Sequence, residues 1–143
     1  MIAKLKTFAD LAALRESRMA EQGKTTKTVT MCCGTGCQAS GSLLVAETLR
    51  AELAAQGLAD SVRVRLTGCH GFCEQGPIMV IDPANVLYCH VTAEDVPEIV
   101  SKTVGGNDTI ERLLYTDPAS GEKIVKEADV PFYRAQDLSL IHI

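Results

Sequence analysis

Apolar and polar residues alternate at the start of the chain's central part in a way that predicts one strand and then one helix. Val29 and Met31 alternate with threonines, which predicts a short strand over residues 28–32. Apolar residues at helical spacing then predict a helix over residues 43–56, with Gly57 placed to end it. The apolar stripe of this helix consists of Leu43, Ala46, Leu49 and Leu53.

Three further strands are predicted after this helix. Residues 62–67 alternate between aliphatic and polar side chains, as in a strand with one buried face. Residues 78–81 read Ile-Met-Val-Ile without alternation, which is typical of a central strand buried on both faces. A turn at residues 82–85, with proline in its second position, then leads into a partner strand over residues 86–91.

Two helices flank this central part, and each is preceded by a Thr and an Asp three residues apart. This is the spacing of a capping box, formed by Thr7 with Asp10 and by Thr92 with Asp95. The first helix, over residues 7–19, leads into a polar linker and is interpreted as a packing or docking arm. The last helix should start near Pro97, since proline is tolerated only in a first turn, and end at the glycines 105–106.

The order β-α-β-β-β-α predicts an α/β fold. A strand-helix-strand crossover is almost always right-handed, and we expect it to make the strands at 28–32 and 62–67 parallel neighbours. The loops that follow these two strands should therefore open at the same edge of the sheet, where α/β proteins usually bind ligands.

Each of these two loops carries a pair of cysteines. Cys32 and Cys37 are separated by four residues, and Cys69 and Cys73 by three, with glycines on both sides of each pair. Four thiolates in two short loops suit a small iron–sulfur cluster, in which each iron takes two thiolates. Glycine allows backbone N–H groups to approach the sulfurs closely. The cofactor-binding and metal-binding residues are therefore predicted to be Cys32, Cys37, Cys69 and Cys73.

Cysteines at these spacings also have interpretations other than an iron–sulfur cluster. Zinc also accepts cysteine pairs at such spacings, so a zinc-stapled structural or assembly module without redox activity is the alternative function. A thioredoxin-type oxidoreductase would need a C-x-x-C motif, which the sequence lacks. Cys33 could replace Cys32 as a ligand, but adjacent strand residues point to opposite sides, so only one of them should reach the metal. Cys89 is predicted to be a core residue, and His70 a loop residue that tunes the site.

Composition narrows the classes of function. A net charge of −4 provides no basic surface for nucleic acid, and 4% aromatic residues provide no platform for stacking bases. The longest clean apolar run near the centre, at 78–81, is too short to cross a bilayer, and the first ten residues do not resemble a signal peptide. We therefore expect a cytoplasmic protein that neither binds nucleic acid nor inserts into a membrane.

The two cysteine loops resemble those of the thioredoxin-like 2Fe–2S ferredoxins. The sequences Cys-Cys-Gly-Thr-Gly-Cys and Gly-Cys-His-Gly-Phe-Cys-Glu-Gln-Gly-Pro are most similar to the N-terminal domain of NADH dehydrogenase-type flavoprotein subunits. Such subunits occur in NAD-linked, often electron-bifurcating, hydrogenases and formate dehydrogenases. The resemblance covers residues 27–104 and implies a thioredoxin-like 2Fe–2S ferredoxin fold. At the first loop, the family pattern selects Cys32 over Cys33 as the ligand.

The resemblance also suggests how the rest of the chain is organised. Residues 1–26 would be a helical arm and linker, and residues 105–137 resemble a connector toward a missing domain that binds FMN and NADH. Residues 138–143, Leu-Ser-Leu-Ile-His-Ile, match the translation of a common sequencing adapter, so the chain is interpreted as truncated. The fragment would be an electron carrier, and its partners would be the flavin and iron–sulfur subunits of an NAD(P)H-dependent oxidoreductase.

Overall fold

The computed structural model describes residues 4–23 and 25–136, which contain one mixed four-stranded sheet and a small two-stranded sheet. The helices are α1 (Phe8–Gly23), α2 (Thr35–Ala39), α3 (Ser42–Ala55), α4 (Val96–Glu98) and α5 (Pro131–Arg134). The strands are β1 (Lys27–Cys32), β2 (Val62–Thr67), β3 (Met79–Asp82), β4 (Val86–Tyr88), β5 (Tyr115–Thr116) and β6 (Lys123–Ile124). Short 3-10 turns lie at Cys73–Gln75, Ala93–Asp95, Glu111–Leu113 and Glu127–Asp129, and Ile99–Val104 is π-helical.

The large sheet has the strand order β2-β1-β3-β4. β1 and β2 are parallel, with Cys32 beside Thr67, whereas β1 pairs antiparallel with β3 and β3 antiparallel with β4. The predicted α/β fold and the parallel pair are confirmed. The fourth strand is shorter than predicted: it ends at Tyr88, and His90 adopts a positive φ of 52°, which is incompatible with a continuing strand.

The main core lies between one face of the sheet and helix α3. Val29 and Met31 of β1 are completely buried there, together with Leu49 and Leu53 of the helix. The predicted helical stripe was wrong at Leu43, which is 47% exposed. α3 begins at Ser42, and its rotation turns Val45 rather than Leu43 toward the sheet. Gly57, with a φ of 70°, follows the helix as predicted.

The opposite face of β3 and β4 is covered by the segment after Gly106. The Leu87 N–H donates to the Val125 carbonyl at 2.8 Å, and the Cys89 N–H donates to the Leu113 carbonyl at 2.8 Å. Val130 is completely buried in this second core. The outer edge of β4 is therefore bonded to the protein's own chain, which protects that edge from pairing with other strands.

The two predicted capping boxes are present. Thr7 and Asp10 exchange hydrogen bonds at 2.9 and 3.1 Å in front of α1, and Thr92 and Asp95 form the equivalent pair. Pro97 lies in the first turn of α4, as expected. Three large apolar residues of α1 are exposed: Phe8, which is 85% accessible, Leu11 and Met19. Within residues 4–23 and 25–136, no helix is long and apolar enough to cross a membrane. The proposed adapter sequence, residues 138–143, lies outside the described residues.

Candidate metal centre

The first cysteine pair lies at the carboxyl end of β1. Cys32 is the last residue of this strand, and its N–H donates to the Ile78 carbonyl at 3.2 Å. Cys37 lies in the first turn of α2 and is 1% exposed. The thiols of Cys32 and Cys37 are hydrogen-bonded to each other. This pair is consequently buried at the edge of the second core.

The second cysteine pair lies in the loop after β2 and is exposed. The sulfurs of Cys69 and Cys73 are 3.4 Å apart. The Gly71 N–H donates to the Cys69 sulfur at 3.2 Å, and a glycine is needed there because φ is 79°. Backbone donors of this kind stabilise a thiolate and orient a metal ligand.

The two loops contact each other directly, as expected from the parallel pairing of β1 and β2. A Cβ atom on Gly34 would lie 2.8 Å from the Cβ of Cys69, and one on Gly76 would lie 2.8 Å from the sulfur of Cys37. A Cβ on Gly36 would lie 3.5 Å from the Cys73 sulfur. The absence of side chains at these positions allows all four cysteines to lie side by side.

The pKa values of the four thiols indicate that these groups lie close together. Burial, then the hydrogen bond with Cys32 and the charges of Cys32 and Cys73, raise the pKa of Cys37 to about 11. The Cys69 thiol raises the pKa of Cys73, whereas the N–H of Gly71 lowers the pKa of Cys69. Four thiolates this close repel one another, and cations held between them would remove that repulsion and favour deprotonation.

The four cysteines do not surround a single point. Among the described residues, no three His, Cys, Asp or Glu side chains are close enough to bind a single ion together. The Cys69 and Cys73 sulfurs are 3.4 Å apart, and the Cys32 thiol interacts with both Cys37 and Cys69. Two thiolates for each of two irons is the ligand arrangement of a binuclear iron–sulfur cluster, so the residues fit such a group.

The remaining cysteines lie apart from the four thiols. Cys33 faces away from Cys32 toward α3, where the Ser42 hydroxyl lies 3.8 Å from its sulfur. Cys89 is buried, which raises the pKa of its thiol to about 12 and keeps it protonated. Its predicted position in the core is confirmed. The disposition of Cys32 and Cys33 agrees with the expectation that only one of two adjacent residues can face the site.

His70 connects the second loop to the segment that follows Gly106. One ring nitrogen lies 3.0 Å from the Thr67 hydroxyl, and the other lies 3.2 Å from the Glu127 carboxylate. The sequence suggested that His70 tunes the site by a hydrogen bond, and within the described structure its hydrogen-bond partners are these two side chains. These two contacts hold the second cysteine loop in place.

An aromatic cluster beside the second loop was missed by sequence reasoning. Phe72 stacks on Phe132 with the ring centroids 4.7 Å apart and packs against Tyr115 and Tyr133. These residues are four of the six aromatic side chains in the chain. Three of the four lie after residue 114, in a segment that otherwise resembles a polar connector. This concentration of aromatic residues was the signal that could have revealed the cluster. The cluster fixes the connector on the cysteine loop.

Comparison with known proteins places this geometry in a family. Residues 17–104, more than half of the chain, match the thioredoxin-like [2Fe-2S] ferredoxins. The chain belongs to this family. It is 42% identical over 77 residues to a 2Fe–2S ferredoxin of Clostridium pasteurianum, covering 54% of this chain and 76% of that protein. It is 46% identical over 48 residues to a 2Fe–2S ferredoxin of Aquifex aeolicus, covering 34% of this chain and 43% of that one.

Solved structures agree with the family assignment. The thioredoxin-like [2Fe-2S] ferredoxin of Aquifex aeolicus superposes with a TM-score of 0.60 at 29% identity, covering 65% of this chain and 99% of the other. A chain of an NAD+-reducing [NiFe]-hydrogenase shares the fold, with a TM-score of 0.51 at 14% identity, over 71% of this chain and 22% of that chain. The predicted thioredoxin-like ferredoxin fold is therefore confirmed.

Family membership also identifies the cofactor. This ferredoxin binds a 2Fe–2S cluster and is an electron-transfer module. The four converging thiols supply the number and type of ligands that such a cluster needs. The predicted cofactor is therefore confirmed, and the zinc-stapled alternative loses its support.

Proposed function

We propose that Cys32, Cys37, Cys69 and Cys73 hold the 2Fe–2S cluster of this ferredoxin. In this proposal, the ferredoxin passes single electrons between a flavin and other iron–sulfur centres in a cytoplasmic NAD(P)H-linked oxidoreductase complex. The observation that carries the ligand assignment is the contact between the two cysteine loops at the carboxyl ends of β1 and β2. Cys32 rather than Cys33 faces Cys37, which supports the choice within the adjacent pair.

The surrounding residues have distinct roles in this function. The bound cluster supplies one-electron redox chemistry at a potential that the protein sets. Cys32 and Cys37 are buried under the second core, whereas Cys69 and Cys73 lie at the surface. The buried pair excludes water from one side of the site, and the exposed pair provides the side that an electron donor or acceptor can approach. The Gly71 N–H, directed at the Cys69 sulfur, disperses negative charge on that ligand.

Two features support an NAD(P)H-linked complex as the setting. Residues 105–137 resemble the connector to an FMN- and NADH-binding domain, and their aromatic side chains pack on the second cysteine loop. The fold likeness to a chain of an NAD+-reducing hydrogenase, which is about three times as long as this chain, is in line with a fused domain of this kind. All six cysteines are unpaired, as expected in a reducing cytoplasm.

The ligand assignment is tested by replacing each cysteine with serine. The purified chain, reconstituted with iron and sulfide, should contain two irons and two sulfides and give a rhombic EPR signal after one-electron reduction. Serine at position 32, 37, 69 or 73 should abolish or strongly perturb this spectrum, because one iron loses a thiolate.

Cys33→Ser and Cys89→Ser are the matched controls and should leave the visible and EPR spectra nearly unchanged. Stoichiometric zinc without visible absorbance would contradict the electron-transfer function. Loss of the cluster in Cys33→Ser but not in Cys32→Ser would show that the assignment within the first loop is reversed.

A further inference from the structure

The hydroxyl group of Tyr133 is buried without a hydrogen-bond partner. Among the described residues, it is the one buried side-chain nitrogen or oxygen in this condition. A buried hydroxyl with no partner is destabilising relative to a hydrated one. Such a group usually marks a partner that the protein chain alone does not provide.

The position of Tyr133 is fixed by packing. Its ring meets Phe72 edge-on, with the centroids 5.5 Å apart, and meets Phe132 at 5.1 Å. Phe72 is the residue directly before Cys73, so the tyrosine rests on the second cysteine loop. The short helix α5 that carries Tyr133 is anchored by Val130, which is completely buried. The hydroxyl is therefore held in place by its surroundings.

The same packing places Tyr133 beside the proposed cluster ligands. Its ring packs against the apolar cluster that contains Cys32 and Cys37. On its other side, Tyr133 and Cys69 line one open cavity of about 400 Å³, together with His70 and Glu127. Tyr133 thus packs against the core that contains the buried pair and shares a cavity with Cys69 of the exposed pair.

We propose that the Tyr133 hydroxyl, which has no partner in the chain itself, donates a hydrogen bond to a sulfur of the 2Fe–2S group held by the four cysteines. This bond would stabilise the more negative, reduced state of that group. This inference rests on the proposed ligand set. It assigns a function to a residue outside the matched family region, which ends at residue 104. Tyr133 is a positioning residue in this scheme and does not bind iron.

The electrostatics of the site are consistent with a permanent donor. Burial, followed by the negative charge of Glu127, raises the pKa of Tyr133, so the phenol keeps its proton. The competing acceptors are less suitable. The Glu127 carboxylate already pairs with His70, and Cys89 is a protonated thiol, which is a weak acceptor.

Replacing Tyr133 with phenylalanine tests the proposal, because Tyr133→Phe keeps the ring and removes only the hydroxyl. In the reconstituted full chain, the reduction potential should become more negative. The change should correspond to a roughly three- to tenfold shift in the equilibrium with a redox mediator, the size of one hydrogen bond. The EPR signal of the reduced protein should also change.

Thermal unfolding of the variant distinguishes the proposed hydrogen bond from a purely structural role of Tyr133. Tyr133→Phe should leave the metal-free chain equally or more stable, because a hydroxyl without a partner has been removed. The same substitution should destabilise the cluster-loaded chain. Tyr115→Phe is the matched control, because Tyr115 also packs on Phe72 but its oxygen is not buried without a partner.

Three results would overturn the proposal. One is an unchanged potential and EPR signal in Tyr133→Phe, and another is an equal shift in Tyr115→Phe. The third is loss of the Tyr133→Phe shift in a Glu127→Gln or Cys89→Ala background, which would make one of those residues the acceptor. Each result is distinguishable from failure of the ligand assignment, since the wild-type chain must first bind two irons and two sulfides.

Discussion

Gly34 marks a point of close approach between the two cysteine loops. Its absent side chain leaves room for Cys69, whose Cβ and Cα atoms would lie 2.8 and 3.0 Å from a Cβ at position 34. Gly34 has a φ of −63°, which any residue can adopt, so space rather than backbone conformation requires glycine here. The close approach of the loops therefore requires glycine at this position.

Gly34→Ala should separate the loops, because backbone atoms of Cys69 cannot move aside as the end of a flexible side chain can. Overpacking of this kind costs about 1–3 kcal/mol of unfolding free energy. We also expect the variant to bind substoichiometric iron. Iron content and thermal unfolding of the purified chain measure both effects.

Gly68→Ala is the matched control, since it lies in the second loop and a Cβ there would contact nothing within 4 Å. Equal iron binding and stability in Gly34→Ala and the wild type would show that the loops can separate without consequence.

At the scale of secondary-structure elements, the capping box before α4 ties several parts of the fold together. Asp95 is nearly buried and accepts hydrogen bonds from the Thr92 N–H and hydroxyl at 2.8 and 2.7 Å. It also accepts one from Arg112, which belongs to the segment after Gly106. Burial opposes ionisation of Asp95, but the bonds from Thr92 and Arg112 hold its pKa below the ordinary value.

Asp95→Asn should lower stability by about 1 kcal/mol at pH 7, because a neutral amide replaces the carboxylate that accepts the bonds from Thr92 and Arg112. Because the pKa is lowered in the folded state, the stabilisation is complete above the unfolded value of about 3.9 and is lost as the pH falls through the folded value. The difference between variant and wild type should therefore shrink toward pH 3. Thermal unfolding across this range measures it.

Glu94→Gln provides the control for this measurement. Glu94 is the exposed neighbouring acid and takes no part in the capping box, so its replacement should change the unfolding temperature very little. An equal loss in both variants, or a difference that does not begin to shrink as the pH falls below about 3.9, would contradict the role given to Asp95.

Over the whole molecule, the segment after Gly106 behaves as part of the ferredoxin core. Ile110, Leu113 and Leu114 are buried in the main core, and Val130 in the second. By contrast, α1 exposes Phe8, Leu11 and Met19. Burial and backbone pairing protect a segment from local unfolding, so the two ends of the chain should differ in stability.

Limited proteolysis should therefore remove α1 first and leave a fragment that extends from about β1 to about α5. Removing the cluster should make this fragment sensitive as well, because four metal–thiolate bonds stabilise the fold by constraining the unfolded chain. Mass spectrometry of timed digests, with and without the cluster, identifies the products. A stable product ending near residue 105 would show that the second core opens readily, and equal resistance without the cluster would show that the fold does not depend on it.

The sequence alone determined the order along the chain of the four strands of the large sheet, the α/β fold and the four proposed ligands. Alternation and helical spacing are local properties, and the parallel pairing of two strands necessarily brings the loops after them to one edge. The C-x4-C and C-x3-C spacings then indicated the cofactor. Capping boxes at Thr92 and Asp95 and at Thr7 and Asp10 were predictable for the same reason, since they involve neighbouring residues.

Only the tertiary structure determined which faces of these elements pack against one another. The rotation of α3 buries Val45 instead of Leu43, a choice between two apolar residues that periodicity does not resolve. The packing of Phe132 and Tyr133 on the second cysteine loop joins residues about 60 positions apart in sequence, and a predominantly polar composition concealed it. Burial of the Tyr133 hydroxyl follows from that packing, because contacts distant in sequence depend on the whole fold rather than on local pattern.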